Sequence, residues 1–292
     1  MSVPVKMQLA AYTALVLGGS AALALASRGI DPASNLAVAC ATAAMWLPAL
    51  VAGAVMLLSE GTLAGLGWKP GKPRWLAAGY LAPLIYGGGA FLVAALAGAG
   101  QFDFTRWANG AGEWGMAPLA ANGLLIQMTV IILPSLFMAL GEEIGWRGFL
   151  APRLALVGGF RGAVNFGALI WFAYHVPALL AGQYGPADLP LAFKLATFAV
   201  LIWSGSLFYT WLRLKSGSFW PAALSHAAHN TFIQMMFASG FAWNARTPWI
   251  AGEFGLATVL LMASVAIALY RASPVSPQPT RKAELPEIIL PR

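Results

Sequence analysis

The chain has 292 residues, of which 59% are hydrophobic and only 9% charged, and its formal net charge is +7. This composition excludes an ordinary soluble domain, in which about a quarter of the residues are charged. The positive charge does not indicate nucleic-acid binding, because the basic residues are distributed as expected for a membrane protein. The single cysteine, Cys40, excludes a disulfide within the chain.

Eight apolar segments are each long enough for a helix that crosses a membrane. In chain order they are 7–27, 35–58, 75–98, 118–142, 162–181, 190–212, 217–238 and 250–271. Because backbone polar groups in lipid must bond within their own segment, these runs are predicted to be helices. Residues 1–272 are therefore predicted to form one all-α, polytopic transmembrane helix bundle. The Pro-rich, charged remainder, 273–292, is predicted to be a flexible cytoplasmic tail.

The basic residues predict the orientation of the bundle. With the N-terminus in the cytoplasm, the cytoplasmic segments hold thirteen of the 17 basic residues, namely Lys6, Lys69, Lys72, Arg74, Arg147, Arg153, Arg161, Arg213, Lys215, Arg271, Arg281, Lys282 and Arg292. The other side holds Arg28, Arg106, Lys194 and Arg246. This bias follows the positive-inside rule and predicts that both termini are cytoplasmic. It requires that segment 7–27 is retained as a helix rather than cleaved as a signal peptide.

Ionisable residues interrupt the apolar pattern at three places. Glu142, Glu143 and Arg147 follow the stretch 117–141, which contains no charge. A charged side chain near the bilayer centre costs about 2.5–3.5 kcal/mol on insertion scales, so such residues are functional candidates.

The other two places hold all three histidines of the chain. His175 lies in the fifth predicted span, and His226, His229 and Asn230 lie in the seventh. A single buried histidine can simply bond a neighbouring helix. The combination of three histidines, two glutamates and an asparagine in predicted spans favours a chemical site instead.

Helical spacing groups these side chains further. His226 and Asn230 are four residues apart and share one helical face, whereas His229 points partly aside. Glu143 and Arg147 are also four apart, so Arg147 could hold one carboxylate and leave Glu142 free. If the fourth helix continues past Arg147, all of these groups are predicted to meet in the cytoplasmic half of the bundle.

Two kinds of chemistry fit these residues. A carboxylate and a neutral imidazole beside one water can take its proton, and the water can then attack a peptide carbonyl. Donors on His226 and Asn230 could stabilise the resulting oxyanion, each contributing about 10²–10³ in rate. Alternatively, Glu142, His175 and His226 could bind a divalent metal such as zinc with an open fourth position. The HExxH pattern of zinc proteases is absent, and the metal alternative stays open.

The same residues resemble a known family. Glu142-Glu143-x-x-x-Arg147-Gly, Trp171-x-x-x-His175 and His226-x-x-x-Asn230 resemble, in order, the three motifs of the CAAX prenyl protease and bacteriocin-processing (CPBP, ABI) family of intramembrane endopeptidases. The resemblance covers about residues 125–235. It implies that Glu142 and His175 activate water, that His226 and Asn230 form the oxyanion hole, and that Glu143 and Arg147 support them. Trp171 stands where the family usually has Phe, which bears on pocket shape rather than chemistry.

The resemblance implies a multi-pass protein of the cell membrane that hydrolyses a peptide bond near the cytoplasmic side. Its expected partners are the lipid bilayer and a peptide or prenylated protein substrate, with no nucleic acid. One alternative is a non-catalytic membrane scaffold or bacteriocin self-immunity protein. A second alternative is a transporter that uses the same polar groups, although the sequence has no visible inverted repeat.

Overall fold

The computed structural model of the protein describes residues 3–103, 105–106 and 128–275. The first part of the fourth predicted span, 118–127, lies outside the described residues. So does most of the predicted tail, from residue 276 onward.

The described part of the chain is a bundle of helices with one small sheet. In chain order its elements are α1 (Val5–Ala26), α2 (Asn35–Glu60), a 3₁₀ turn (Ala64–Leu66), α3 (Pro73–Leu96), β1 (Gly100–Phe102), α4 (Ile132–Glu143), a first π-helical segment (Ile144–Leu150), α5 (Ala151–Leu180), α6 (Leu191–Ser216), α7 (Trp220–His229), a second π-helical segment (Asn230–Phe237), β2 (Phe241–Trp243), α8 (Thr247–Ile250) and α9 (Leu256–Ala272). The helical bundle agrees with the predicted fold class. The antiparallel pairing of β1 with β2 was not predicted from the sequence.

Among the described residues, five helical runs are long and apolar enough to cross a membrane. They are Val5–Ala26, Asn35–Glu60, Pro73–Leu96, Ile132–Leu180 and Leu191–Ser216, and the shorter α9 is also apolar. The run Ile132–Leu180 combines the fourth and fifth predicted spans. It is interrupted at Gly159, whose φ of 63° and ψ of −168° suit only glycine. The chain reverses direction at Gly159. The reversal is evident from the hydrogen bond that Trp171, after the break, donates to Glu142, before it.

One end of the bundle, here called the basic end, carries the start of α1, the turn between α2 and α3, and the turn between α6 and α7. The Arg153 guanidinium joins the first two of these parts by donating to Gln8 Oε1 (2.8 Å) and Glu60 Oε1 (2.5 Å). The Trp220 indole donates to the carbonyl of Trp68 (2.7 Å). Because these contacts bring the three parts together, the lysines and arginines within or beside them lie at the same end. They include Lys6, Lys69, Lys72, Arg74, Arg153, Arg213 and Lys215.

The other end, here called the sheet end, carries β1, β2 and the turns that follow α1 and α5. The amide of Gln183 donates to the carbonyl of Ala24 (3.0 Å), and the Arg246 guanidinium donates to the carbonyl of Ala97 (2.8 Å). These contacts bring the loops after α1, α3, α5 and β2 together.

Two glycines set how closely α4 and the first π-helical segment approach α2. A Cβ on Gly141 would lie 2.5 Å from the carbonyl oxygen of Met45. A Cβ on Gly145 would lie 2.5 Å from Pro48 Cβ and 2.6 Å from the Tyr12 hydroxyl. Small residues four apart allow helix backbones to pack closely in lipid. Glu142 and Glu143 lie between these two glycines, so their position is set by this contact.

Candidate active site

The first motif lies on an unbroken helical stretch deep in the bundle. Glu142 and Glu143 end α4 with 2% and 0% of their surface exposed. The first π-helical segment then carries the helix past Arg147 into α5, which is the condition on which the predicted meeting of these groups depended. Such wide turns inside α-helices occur frequently at functional sites. Because adjacent helical residues point about 100° apart, the two carboxylates meet different partners.

Glu142 accepts two indole hydrogen bonds and faces a histidine. Its Oε2 atom accepts from Nε1 of Trp146 and from Nε1 of Trp171, both at 2.8 Å. Its Oε1 atom lies 3.8 Å from His175 Nε2. This separation is too long for a direct hydrogen bond, but it suits one water molecule bonded to both atoms.

The backbone fixes which nitrogen of His175 carries the proton. His175 Nδ1 lies 3.0 Å from the carbonyl oxygen of Trp171, which can only accept a hydrogen bond. Nδ1 therefore donates in the neutral ring, and Nε2 presents its lone pair towards Glu142. Glu142 Oε1 and His175 Nε2 are thus both acceptors. A water molecule between them could donate one hydrogen to each atom.

Glu143 forms a separate charged group with Arg147 and His226. Arg147 Nη1 donates to Glu143 Oε1 at 2.9 Å, which is the pair predicted from the helical spacing. His226 Nδ1 lies 3.0 Å from the same oxygen. The guanidinium carbon of Arg147 lies 4.2 Å from the ring centre of Trp171 and 4.9 Å from that of Tyr209. Buried charges need such partners, because an unpaired one is strongly destabilising.

His175, His226 and Asn230 line one cavity of about 30 Å³. This is enough space for a water molecule. Asn230 begins the second π-helical segment, and its Oδ1 accepts a long hydrogen bond of 3.4 Å from Gln234. Its amide nitrogen carries two N–H donors. The structure thus brings all three histidines and Asn230 to one cavity. Glu142 Oε1 lies 3.8 Å from His175, and Glu143 accepts a hydrogen bond from His226.

His229 lines the same cavity, whereas its helical position predicted that it would point partly aside. Its Nδ1 lies 2.8 Å from the Tyr86 hydroxyl, and its Nε2 lies 3.8 Å from Glu253 Oε1. The Tyr184 hydroxyl donates to Glu253 Oε1 at 2.6 Å.

Sequence reasoning did not single out Trp146, Tyr184 or Glu253. For two of these residues, Trp146 and Glu253, the sequence contains a feature that could have indicated a place in the site. Trp146 stands four residues after Glu142, on the same helical face. Glu253 is a carboxylate within the last predicted apolar span.

The cavity lies closer to the sheet end than the sequence predicted. The four groups were expected in the half of the bundle beneath the basic loops. The cavity instead reaches Tyr184 and Glu253, which lie in loops at the sheet end. His175 lies 16 residues after the break at Gly159, a rise of about 24 Å along α5.

The metal alternative named Glu142, His175 and His226 as ligands. Among the described residues, no group of three His, Cys, Asp or Glu side chains is arranged to hold a metal ion. Glu143 accepts a hydrogen bond from Nδ1 of His226, and Oε2 of Glu142 accepts from two indoles. The mechanism proposed for these residues uses no metal.

The fold and the site together define a membrane helix bundle with ionisable groups in its interior. Residues 123–232 match the family model described as type II CAAX prenyl endopeptidase Rce1-like. The matched segment contains all three motifs, and it confirms the resemblance read from them over about 125–235. With the five long apolar helices, the match describes a membrane protein that carries an endopeptidase-like domain. No curated protein matches the chain.

Proposed function

We propose that the protein is an intramembrane endopeptidase of the cell membrane in which Glu142 and His175 activate a water molecule. The observation that supports this most strongly is the 3.8 Å gap between Glu142 Oε1 and His175 Nε2. Both atoms are acceptors, so a water between them donates both hydrogens and turns its lone pairs towards the substrate. As its oxygen bonds to the peptide carbonyl carbon, one proton passes to Glu142 or His175. The same proton then moves to the leaving amine nitrogen as the C–N bond breaks.

His226 and Asn230 are proposed to stabilise the oxyanion. Because Glu143 Oε1 accepts a hydrogen bond from Nδ1–H of His226, an Nε2–H donor as well requires a doubly protonated ring. The carboxylate of Glu143 stabilises this charged ring, and Arg147 in turn compensates Glu143. The amide of Asn230 supplies a second donor from the same helical face. Each such donor contributes about 10²–10³ in rate.

We further propose eight membrane crossings with both termini in the cytoplasm. The fourth crossing comprises α4, the first π-helical segment and the start of α5, and the fifth comprises α5 after Gly159. The seventh comprises α7 with the second π-helical segment, and α9 is the eighth. The charge bias towards the basic end supports this orientation.

The proposed substrate is a peptide or a prenylated protein. We expect Glu142→Gln to lower peptide cleavage by at least 10² while the protein remains folded in detergent, because the isosteric amide cannot accept the water's proton. Cleavage is measured on a panel of farnesylated and unmodified peptides, with and without a chelator.

Glu60→Gln is the matched control for this experiment. It makes the same chemical change at a carboxylate that is bonded to Arg153 at the basic end, away from the cavity. Undiminished cleavage by folded Glu142→Gln protein would refute the proposed role of Glu142. If the wild-type protein cleaves no peptide of the panel, the result would contradict the proposed endopeptidase function and favour the scaffold or transporter alternative.

A further inference from the structure

Two ionisable side chains that line the catalytic cavity take no part in the proposed activation of water or in the proposed oxyanion hole. They are His229, at the end of α7, and Glu253, in the loop before α9. Glu253 is the only carboxylate among the described residues that line this cavity. The side chains of His229 and Glu253 are only 5% and 13% exposed. Ionisable groups held inside a membrane bundle are costly to bury, so this pair is a candidate for a second role in the cavity.

His229 and Glu253 face each other across a gap. The distance from His229 Nε2 to Glu253 Oε1 is 3.8 Å, the same as the distance from His175 Nε2 to Glu142 Oε1. It is too long for a direct hydrogen bond, but one nitrogen or oxygen atom between the two can bond to both. Two Glu–His gaps of the same width therefore border the site, and the proposed attacking water fills only one of them.

Each member of the pair is held by a tyrosine. The Tyr184 hydroxyl donates to Glu253 Oε1 at 2.6 Å, and the Tyr86 hydroxyl lies 2.8 Å from His229 Nδ1. Tyr86 is on α3 and is 1% exposed, so its contact with His229 lies inside the bundle. A carboxylate oxygen can accept more than one hydrogen bond. Glu253 Oε1 and His229 Nε2 are therefore both available to an atom in the gap.

The gap lies close to the proposed oxyanion hole. His229 comes three residues after His226 and directly before Asn230, on one continuous helical stretch. The rise from His226 to His229 is only about 4.5 Å, and all three residues line the same cavity. A peptide carbonyl whose oxygen meets His226 and Asn230 thus has its neighbouring atoms within reach of His229.

The leaving nitrogen is the one reacting atom without a partner in the proposed mechanism. The attacking water bonds to Glu142 and His175, and the oxyanion bonds to His226 and Asn230. The nitrogen carries N–H donors, and an α-amine with a pKa of about 7.7–8.0 is largely protonated at neutral pH. A carboxylate bonds such a group more strongly than a neutral acceptor does.

We propose that the gap between Glu253 and His229 binds the nitrogen of the leaving amine. This inference rests on the proposed endopeptidase function and assigns a further part of its site. The C–N bond breaks with its electron pair on nitrogen, which takes the proton that the water gave to Glu142 or His175. The products are a carboxylic acid and an amine, whose N–H groups are held by Glu253 Oε1 and His229 Nε2. In this arrangement Nδ1–H of His229 donates to the Tyr86 oxygen.

Cleavage of a peptide and of its ester analogue tests this role. The analogue has an oxygen in place of the scissile N–H, so its leaving group is a neutral alcohol without an N–H donor. We expect Glu253→Gln to lower cleavage of the peptide at least tenfold and cleavage of the ester by much less, because the charge that favours the amine is lost. Glu60→Gln makes the same change at the basic end and is expected to alter neither rate.

An equal effect of Glu253→Gln on the peptide and the ester would overturn the proposal. If Glu253→Gln does not fold, Tyr184→Phe takes its place, because it removes only the hydroxyl that holds Glu253. A smaller loss is then expected, again for the peptide more than for the ester, and an equal loss for both would overturn the proposal in the same way.

Binding of an amine separates this inference from the proposed function, because binding needs no cleavage. The probes are leucyl-leucinamide, which has a free amino terminus, and its N-acetyl derivative, each titrated calorimetrically into the full-length protein in detergent. We expect the free amine to bind at least tenfold more tightly, and Glu253→Gln but not Glu60→Gln to remove this preference. Equal binding of the two probes, or no binding of either, would overturn the amine site. If the preference is present but the wild-type protein cleaves neither peptide nor ester, the endopeptidase proposal fails while the amine site stands.

Discussion

Glu142 and Glu143 are neighbours in the chain, but their surroundings give them different chemistry. Glu142 is held by two indole N–H groups and faces His175 across a gap that fits a water. Glu143 is held by Arg147 and His226 through one oxygen. In the proposed mechanism, Glu142 therefore transfers a proton and Glu143 compensates buried positive charge. The indole donors orient Glu142 without neutralising it, which a lysine or arginine in their place would do.

This role of the indoles can be tested at Trp146. Trp146→Phe removes one hydrogen bond to Glu142 and keeps an aromatic ring in the core. Hydrogen bonds to charged groups contribute about 1.5–3 kcal/mol. We therefore expect kcat for peptide cleavage to fall by at least tenfold with KM little changed.

Trp203→Phe is the matched control for Trp146→Phe. Its indole donates to the Asn165 side chain (3.1 Å) at an exposed position, so the same type of bond is lost away from the site. A raised KM with unchanged kcat in Trp146→Phe would contradict an orienting role for Trp146.

At the scale of elements, the first motif is held in place by backbone contact rather than by large side chains. Gly141 and Gly145 allow α4 and the first π-helical segment to touch α2 at Met45 and Pro48. The π-helical geometry carries the chain through the motif without breaking its backbone hydrogen bonds. The carboxylates therefore sit on a rigid element, which favours a precise site.

Gly145→Ala is expected to destabilise the protein. The added Cβ would lie 2.5 Å from Pro48 Cβ and 2.6 Å from the Tyr12 hydroxyl, so the helices must separate. Such overpacking costs about 1–3 kcal/mol. The measurement is the free energy of unfolding in detergent, together with the cleavage rate.

Gly158→Ala is the control for Gly145→Ala. A Cβ at Gly158 would meet no atom within 4 Å, and alanine favours a helix by about 1 kcal/mol over glycine. We expect this variant to be as stable as the wild type or more so. Equal stability of the two variants would show that the contact with α2 is not tight.

At the scale of the whole molecule, the two ends of the bundle differ in charge and in cavities. The contacts of Arg153 with Gln8 and Glu60 and of Trp220 with Trp68 lie at the basic end. A cavity of about 270 Å³, lined in part by Trp243 and Gly252, lies at the sheet end. The proposed eight crossings place these ends on opposite faces of the membrane.

Reporter fusions test this arrangement. A phosphatase that is active only outside the cytoplasm, fused after Gly98 at the sheet end, is expected to be active. The same phosphatase fused after Gly217 at the basic end is expected to be inactive. A fluorescent reporter that folds only in the cytoplasm should show the reverse pattern. The opposite result for both reporters would invert the proposed orientation.

The sequence by itself determined the local features of this protein. Apolar runs longer than a membrane crossing fix where helices form, because lipid offers no other partner for the backbone. Spacing of four residues places Glu143 with Arg147, and His226 with Asn230, on common helical faces. The residues that the family model matches, 123–232, contain these short motifs. The pairings at a spacing of four depend only on residues within one or two helical turns of each other.

Only the tertiary structure decided which helices meet and towards which end the site opens. The sequence does not state that Trp171 reaches Glu142, that His226 bonds Glu143 rather than Glu142, or that Glu253 lines the cavity. These contacts depend on the rotation and depth of each helix. Both are set by close approaches spread over the bundle, such as Gly145 against Pro48. Helical periodicity predicts the face of a residue, but its neighbour across the bundle is a property of the packed whole.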